Sequence, residues 1–237
     1  MFLRKDAILK QVFLSCLLML GAFQRVSAQS AAAPQLAADR WEAEIQAFEN
    51  SDKTKAPETG GVLFIGSSTI RLWKTLAQDF PQLKVINRGF GGSQIEDSLR
   101  YADRIIIPYK PHRIILYAGG NDLNSGKTPE RVAEDFKQLI ARLRQQLPDT
   151  RITYISILAS PARWHLDEKI RQTNDLIKTF VAHEGHRLSY LDAYPRLLGT
   201  DGKPRPELYV EDRLHLNEAG YRVLQAAVAA HLKTEKK

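Results

Sequence analysis

The stretch VLFIGSS, residues 62–68, places four consecutive apolar residues directly before a glycine and two serines. An uninterrupted apolar run of this length is typical of a strand that is buried on both faces of a parallel sheet. Comparable runs recur along the chain, at residues 84–86, 113–117, 152–157 and 188–191. The sequence therefore predicts about five strands, the first of which covers residues 62–65.

Helix-length segments lie between and around these runs. The clearest covers residues 129–147, where apolar side chains keep to one face at helical spacing, with Pro129 in the first turn and Thr128 as the N-cap. Further helices are predicted at residues 41–48, 167–184 and 217–232. Strands that alternate with helices imply a parallel sheet that is covered on both faces. The predicted fold is therefore α/β, a three-layer α/β/α sandwich.

The N-terminus has the layout of an export signal. Residues 1–28 begin with basic side chains, continue with an apolar run over residues 12–23, and end in Val26-Ser27-Ala28. This pattern predicts a secretory signal peptide that is cleaved after Ala28. The alternative is an N-terminal helix that stays attached. Residues 29–59 are then a lead-in and first helix, and residues 60–237 form the folded domain.

Composition and charge exclude several classes of protein. With 43% hydrophobic and 26% charged residues, the chain of 237 residues has the composition of a globular protein. Loss of the leader lowers the net charge from +7 to +4, because 30 basic and 26 acidic residues remain. These charges are scattered, so nucleic acid is not an expected partner. The single cysteine, Cys16, lies in the leader and can form neither an internal disulfide nor a four-cysteine zinc site.

The same observations bear on the compartment. No stretch reaches the roughly 18 consecutive apolar residues that a membrane span needs. We therefore expect no stable membrane anchor after cleavage, and a periplasmic or secreted protein that is held together by its core alone.

Small and polar residues follow each predicted strand. Because ligand sites in open α/β sheets lie at the carboxyl ends of the strands, we expect these residues to meet there. The segments are GSST (66–69), NRGFGGS (87–93), AGGND (118–122), SPARW (160–164) and DRLH (212–215). Each also has a purely structural interpretation, as a tight turn, a loop glycine with positive φ, or a cap. Their joint placement after successive strands favours a functional site.

These residue types together suit nucleophilic catalysis. A serine hydroxyl is a poor nucleophile until an imidazole takes its proton, and the imidazole needs a carboxylate to fix its tautomer. Asp212 and His215 are three residues apart, so one turn can bring the carboxylate to the ring. A glycine amide and an asparagine side chain, beside the nucleophile's own amide, can hold the oxyanion of a tetrahedral intermediate.

The four segments around residues 68, 92, 121 and 212–215 resemble, in this order, the blocks of the SGNH (GDSL-like) hydrolase family. That family includes platelet-activating-factor acetylhydrolase-like esterases and bacterial lysophospholipases, and the resemblance covers residues 60–232. It implies a flavodoxin-like sheet and a catalytic triad of Ser68, Asp212 and His215. It also implies an oxyanion hole of Ser68, Gly92 and Asn121, and neither a metal nor an organic cofactor.

The usual Gly-Asp-Ser of that family is here Gly66-Ser67-Ser68. The register of the block favours Ser68 as the nucleophile, with Ser67 as a neighbour that shapes the turn. The glycines at 89, 91 and 92 do not form GxGxxG, which disfavours a dinucleotide site.

The expected function is that of an exported serine esterase or acylhydrolase. Its substrate would be a small-molecule ester with a short acyl chain, such as an acetyl ester of a sugar or a lipid. The alternatives are an O-acyltransferase with the same triad and a non-catalytic carbohydrate- or lipid-binding module on the same fold.

Three further features lie outside the predicted triad and oxyanion hole. Residues 163–165 either line the leaving-group side of the pocket or, in the case of Trp164, shield the core. The loop from Asp201 to Asp212 is a candidate lid or rim. His183 and His186 lack the spacing of a zinc-protease motif, so a surface position at a helix end is expected. The sequence does not indicate the oligomeric state.

Overall fold

A computed structural model describes residues 40–185 and 187–234. The predicted signal peptide with Cys16, the cleavage site after Ala28 and the lead-in to residue 39 lie outside the described residues. So do His186 and residues 235–237. The division into leader, lead-in and domain therefore stays a prediction. Within the described ranges, no helix combines the length and the apolar character that crossing a membrane requires.

The centre of the fold is a parallel sheet of five strands in the order β2-β1-β3-β4-β5. The strands are β1 (Val62–Gly66), β2 (Val85–Gly89), β3 (Arg113–Tyr117), β4 (Arg151–Ile155) and β5 (Leu188–Leu191). The predicted parallel sheet of about five strands is thus confirmed. Because the strand order changes direction at β1, a crevice opens between the carboxyl ends of β1 and β3.

Two strands end more than one residue away from their predicted bounds. β2 continues to Gly89, so Asn87 and Arg88 belong to the strand and not to the loop after it. β4 covers Arg151–Ile155, so Ile157 lies beyond its end. The apolar run did not predict where either strand ends, because strand pairing depends on the backbone and a buried strand can carry polar side chains.

Helices lie on both faces of the sheet. In chain order they are α1 (Glu42–Thr54), α2 (Ser68–Arg71), α3 (Leu76–Asp79), α4 (Ile95–Arg100), α5 (Ala102–Ile105), α6 (Gly120–Asn124), α7 (Pro129–Gln146), α8 (Asp167–Glu184) and α9 (Glu218–Thr234). Short 3₁₀ segments occur at Ile107–Tyr109, Pro161–Leu166, Tyr194–Leu197 and Pro206–Leu208.

The sheet separates two hydrophobic cores. Leu63 and Ile65 of β1 pack with α1, α4, α5, α7 and α8, whereas Val62 and Phe64 pack with α2, α3 and α9. Successive side chains of a strand point to opposite faces, so an all-apolar strand supplies both cores. This arrangement confirms the predicted three-layer α/β/α sandwich.

Candidate active site

The turn from β1 into α2 positions Ser68. Gly66 pairs with Tyr117 of β3 at φ +139°, and a Cβ atom there would overlap the Tyr117 carbonyl oxygen. Only glycine can therefore end β1 while keeping it paired with β3. Ser67 is buried, and its amide donates to that same carbonyl at 3.1 Å. Ser68 follows as the first residue of α2, at the carboxyl edge of the sheet.

The structure brings Ser68, His215 and Asp212 into one chain of hydrogen bonds. His215 Nδ1 lies 2.6 Å from Asp212 Oδ2, and His215 Nε2 lies 2.9 Å from Ser68 Oγ. A carboxylate can only accept, so Nδ1 carries the proton of the neutral ring, and Nε2 accepts from the Ser68 hydroxyl. This is the arrangement in which a histidine can take the proton of a serine nucleophile.

Backbone amides hold the Asp212 carboxylate in place. Its Oδ1 accepts from the amides of Leu214 at 2.8 Å and His215 at 2.9 Å. Partial burial raises the pKa of Asp212, but the hydrogen bonds from the His215 amide and ring and the Leu214 amide outweigh it and lower the pKa to about 2. The carboxylate therefore stays ionised beside the imidazole. The structural interpretation of Asp212 and His215 as caps of the last helix was wrong, since Asn217 Oδ1 accepts from the Gly220 amide there.

Part of the loop from Asp201 to Asp212 is packed against the body, although residues 210–212 are exposed. Leu208 and Tyr209 are buried, and the Tyr209 hydroxyl donates to the Ala159 carbonyl oxygen beyond β4. Ala162 N also donates to Arg213 O at 3.1 Å. These contacts make this part of the loop a fixed wall of the site.

The two other predicted oxyanion donors are Gly92, in the loop after β2, and Asn121, in the first turn of α6. Asn121 Nδ2 donates to the Ser93 carbonyl oxygen at 2.9 Å, which ties the loop after β2 to the start of α6. The Gly92 amide donates to no acceptor in the described ranges. Of the glycines at 89, 91 and 92, only Gly92 has a positive φ, at +76°. The expectation of a positive-φ loop was thus right for Gly92 and wrong for its neighbours.

Ser68, Asn121 and His215 line one cavity. Its apolar side includes Ile157 and Leu158, which follow β4, and its volume is about 510 Å³ with the space open to solvent included. Gly92 is not among the lining residues. The His215 side chain is 27% exposed and that of Asp212 is 47% exposed, so the hydrogen-bond chain lies at an open surface.

Arg163 contributes to this cavity in a way that sequence reasoning missed. Its Nη2 donates to Asn121 Oδ1 at 2.8 Å, and burial lowers the pKa of its guanidinium. Trp164 packs, partly buried, against the core. Arg163 thus lines the cavity, whereas Trp164 shields the core. Spacing after a strand placed Arg163 near the site but could not identify its partner.

Asp122 lies beside Asn121 but is fully buried. It accepts from the Ile95 amide at 3.2 Å and from Lys127 Nζ at 3.3 Å, and so joins α4 to α6. Burial raises the pKa of its carboxyl to about 6, against the opposing charge of Lys127. These contacts give Asp122 a role in fixing the loop that carries Asn121.

The residues described here hold no group of three or more histidine, cysteine, aspartate or glutamate side chains that could bind a metal ion. His183 lies at the exposed end of α8, and His186 is outside the described residues.

A parallel α/β sheet that brings a serine, a histidine and an aspartate into one hydrogen-bond chain defines the class of protein: an α/β protein with the constellation of a serine hydrolase. The chain belongs to the GDSL-like Lipase/Acylhydrolase family, whose model matches residues 65–223, more than half of its length. It is therefore a carboxylic ester hydrolase.

Solved structures share this fold at low sequence identity. A protein from Streptococcus pneumonia that is named for platelet activating factor is 20% identical, with a TM-score of 0.72 over 96% of this chain and 100% of that chain. A GDSL-like lipase from Bacteroides thetaiotaomicron is 18% identical, with a TM-score of 0.69 over 81% and 98%. A catalytic mutant of an acetylxylan esterase from Geobacillus stearothermophilus is 15% identical, with a TM-score of 0.58 over 72% and 93%. No curated protein matches the chain significantly.

Proposed function

We propose that this protein is an exported serine esterase that cleaves short-chain carboxylic esters through an acyl-enzyme on Ser68. The observation that carries the proposal is the hydrogen-bond chain from Ser68 Oγ through His215 to Asp212. Ser67 takes no part in this hydrogen-bond chain, because it lies in the turn after β1, where its amide donates to the Tyr117 carbonyl oxygen.

In the first half-reaction, Ser68 Oγ attacks the ester carbonyl carbon while its proton passes to His215 Nε2. The ionised Asp212 stabilises the imidazolium that results. Collapse of the tetrahedral intermediate breaks the bond to the leaving oxygen, which takes the proton from His215. In the second half-reaction, His215 accepts a proton from water as the water attacks the acyl-enzyme. The bond from the acyl carbon to Ser68 Oγ then breaks, His215 returns the proton to Ser68 Oγ, and the acid leaves.

The oxyanion donors are the amides of Ser68 and Gly92 and the Asn121 side chain. The Ser68 amide is at the first position of α2, where a helical N–H has no partner within the helix. The Gly92 amide has no acceptor among the described residues. Asn121 Nδ2 uses one proton on Ser93 and keeps the second for the substrate.

The cavity supports a short acyl group. Its apolar wall is formed by Ile157, Leu158 and Ala159, which are themselves buried, and Tyr209 lines the same space. Acetyl esters of sugars or lipids fit this description, and the fold shared with an acetylxylan esterase agrees with it. The N-terminal pattern of residues 1–28 supports export, and N-terminal sequencing of the exported protein should then begin at Gln29.

The test is hydrolysis of p-nitrophenyl esters from acetate to palmitate by the purified protein. We expect the highest kcat/KM at acetate or butyrate. Ser68→Ala should lower kcat by about 10⁴-fold or more, by analogy with loss of other serine nucleophiles. Ser67→Ala is the matched control and should keep most of the activity.

A fluorophosphonate probe supplies a second readout, because it should add covalently to Ser68 and not to Ser67. Activity that survives in Ser68→Ala, or a label on Ser67, would overturn the assignment. Labelling of Ser68 without hydrolysis of any ester would move the assignment to an acyltransferase.

A further inference from the structure

Both ends of the Asn121 side-chain amide are held by hydrogen bonds. Arg163 Nη2 donates to Oδ1 at 2.8 Å, and Nδ2 donates to the Ser93 carbonyl oxygen at 2.9 Å. The oxygen and nitrogen of an asparagine amide exchange places when the group rotates by half a turn. A guanidinium can only donate, so the amide oxygen must face Arg163. The nitrogen is thereby kept on the side of Ser93.

Arg163 is not held in the cavity by an ion pair with a described carboxylate. Several arginines of the fold bind carboxylates, as Arg104 does with Glu42 and Glu49. Arg163, in contrast, forms no ion pair with any carboxylate of residues 40–185 or 187–234, and its hydrogen-bond partner is the Asn121 amide oxygen. Partial burial of a guanidinium without a counter-charge is unfavourable. The guanidinium of Arg163 therefore lies in this cavity with the neutral Asn121 amide as its partner.

The surroundings of Arg163 fix its guanidinium. Its backbone amide donates to Ser160 O at 3.2 Å in the 3₁₀ segment after β4. On the opposite side, a Cβ atom on Gly120 would lie 3.1 Å from Arg163 Nη1, so the side chain packs directly on the backbone before Asn121. The guanidinium and the amide are therefore held against each other by two separate chain segments.

We propose that Arg163 is a positioning residue for ester hydrolysis, which fixes the Asn121 amide with a Nδ2 proton directed at the oxyanion. The proposal rests on the proposed function, since the oxyanion role of Asn121 is part of it. A cation that donates to the amide oxygen also polarises the amide and makes its N–H a stronger donor. This effect is largest when negative charge develops on the substrate oxygen, so it should appear in kcat.

The test is a double-mutant cycle on p-nitrophenyl acetate hydrolysis with Arg163→Met, Asn121→Ala and the double variant. We expect Arg163→Met to lower kcat by about 10- to 100-fold, below the roughly 10²- to 10³-fold loss typical of a missing oxyanion donor. Its KM should change by less than about threefold. In the Asn121→Ala background, Arg163→Met should lower kcat by no more than about twofold, because the group that it positions is already absent.

Arg171→Met is the matched control. Arg171 is exposed on α8, eight residues further on, and donates to Asp167 outside the cavity. It should leave kcat and KM unchanged. Thermal unfolding of each variant shows whether it is folded. If Arg163→Met is unfolded, Arg163→Lys, which keeps the charge with a smaller donor group, takes its place in the cycle, and its loss of kcat should likewise disappear in the Asn121→Ala background.

A loss of kcat that is equally large with and without Asn121, or an effect confined to KM, would overturn the proposal. If the wild type hydrolyses no ester, the proposed function fails first, and Arg163 is then judged by NMR. The side-chain amide signal of Asn121, identified by its absence in Asn121→Ala, should shift in Arg163→Met and not in Arg171→Met. An unchanged signal would show that Arg163 does not position the amide.

Discussion

At the residue scale, the turn after β1 distinguishes two adjacent serines. Ser67 and Ser68 are adjacent and chemically identical, yet the Ser67 amide is bonded to Tyr117 of β3 and its side chain is buried. Ser68 is one residue further and reaches His215. The register of the sequence block favours Ser68, and the turn at Gly66 gives the physical reason, because it buries Ser67 and leaves Ser68 within reach of His215.

Asn121 is the residue whose role is easiest to separate from binding. A donor to an oxyanion strengthens its bond only as charge develops, so its removal should affect kcat far more than KM. We expect Asn121→Ala to lower kcat by about 10²- to 10³-fold, with KM within about threefold. Steady-state kinetics on p-nitrophenyl acetate measures both parameters.

Asn124→Ala is the control for that substitution. Asn124 ends the same short helix, α6, and is exposed. It should leave kcat and KM as they are in the wild type. An Asn121→Ala variant in which only KM changes would remove Asn121 from the oxyanion hole.

At the scale of elements, the sequence predicted the long helices α7 and α8 more accurately than the short helices α2 and α6. α8 was predicted with its observed bounds, and α7 within one residue, with Thr128 Oγ1 accepting from the Arg131 amide as its N-cap. Several turns of apolar periodicity make such helices readable. α2 and α6 have four and five residues, too few for any period, and both form at the carboxyl edge where the site lies.

At the candidate site the sequence predicted which segments meet, but it did not predict their contacts, and the predicted Gly92 does not line the cavity. The sequence placed Ser68, Asn121 and His215 after strands, and sheet topology brings such positions together. The bond between Arg163 and Asn121 depends on a 3₁₀ segment with a non-helical φ at Arg163, and no spacing in the sequence encodes that turn.

The turn between β1 and α2 should tolerate no side chain at Gly66. Gly66→Ala would place a Cβ atom into the Tyr117 carbonyl oxygen and add the strain of φ +139°, so β1 and β3 would have to separate. We expect a loss of unfolding free energy on the order of 4 kcal/mol or more, or no soluble protein. Urea denaturation measures the loss.

Gly126→Ala is the matched substitution, because Gly126 has φ +97° but no atom within 4 Å of the added Cβ. It should cost only about 1–2 kcal/mol, the usual penalty for a left-handed conformation. Equal losses in the two variants would show that the backbone angle, and not the clash with β3, decides the turn.

At the scale of the whole molecule, Asp122 is a buried carboxyl that links stability to pH. Its carboxyl is fully buried between α4 and α6, close to Lys127. Burial raises its pKa from 3.8 to about 6 in the folded protein. Folded Asp122 therefore holds its proton over a pH range in which the unfolded chain has released it.

The sign of the pH dependence follows from that difference in bound protons. Between about pH 4 and 6 the folded state binds more protons than the unfolded state, so the contribution of Asp122 to the unfolding free energy falls as the pH rises. It is fully present below the unfolded pKa of 3.8 and is lost as the pH passes the folded pKa of about 6. The Asp122→Asn variant has no titrating group at this position, so its unfolding free energy lacks this pH-dependent contribution.

The unfolding free energy of Asp122→Asn minus that of the wild type should therefore increase between pH 4 and 7. The rise in the pKa of Asp122 corresponds to a change of roughly 2–3 kcal/mol in the difference between the two unfolding free energies. Any bond to Lys127 that the asparagine fails to replace adds an offset but no slope, since Lys127 stays charged throughout this range. Urea denaturation at pH 4, 5, 6 and 7 gives the difference directly. A flat difference would mean that the pKa of Asp122 is the same in the folded and unfolded states, so that Lys127 and the Ile95 amide fully offset the effect of burial.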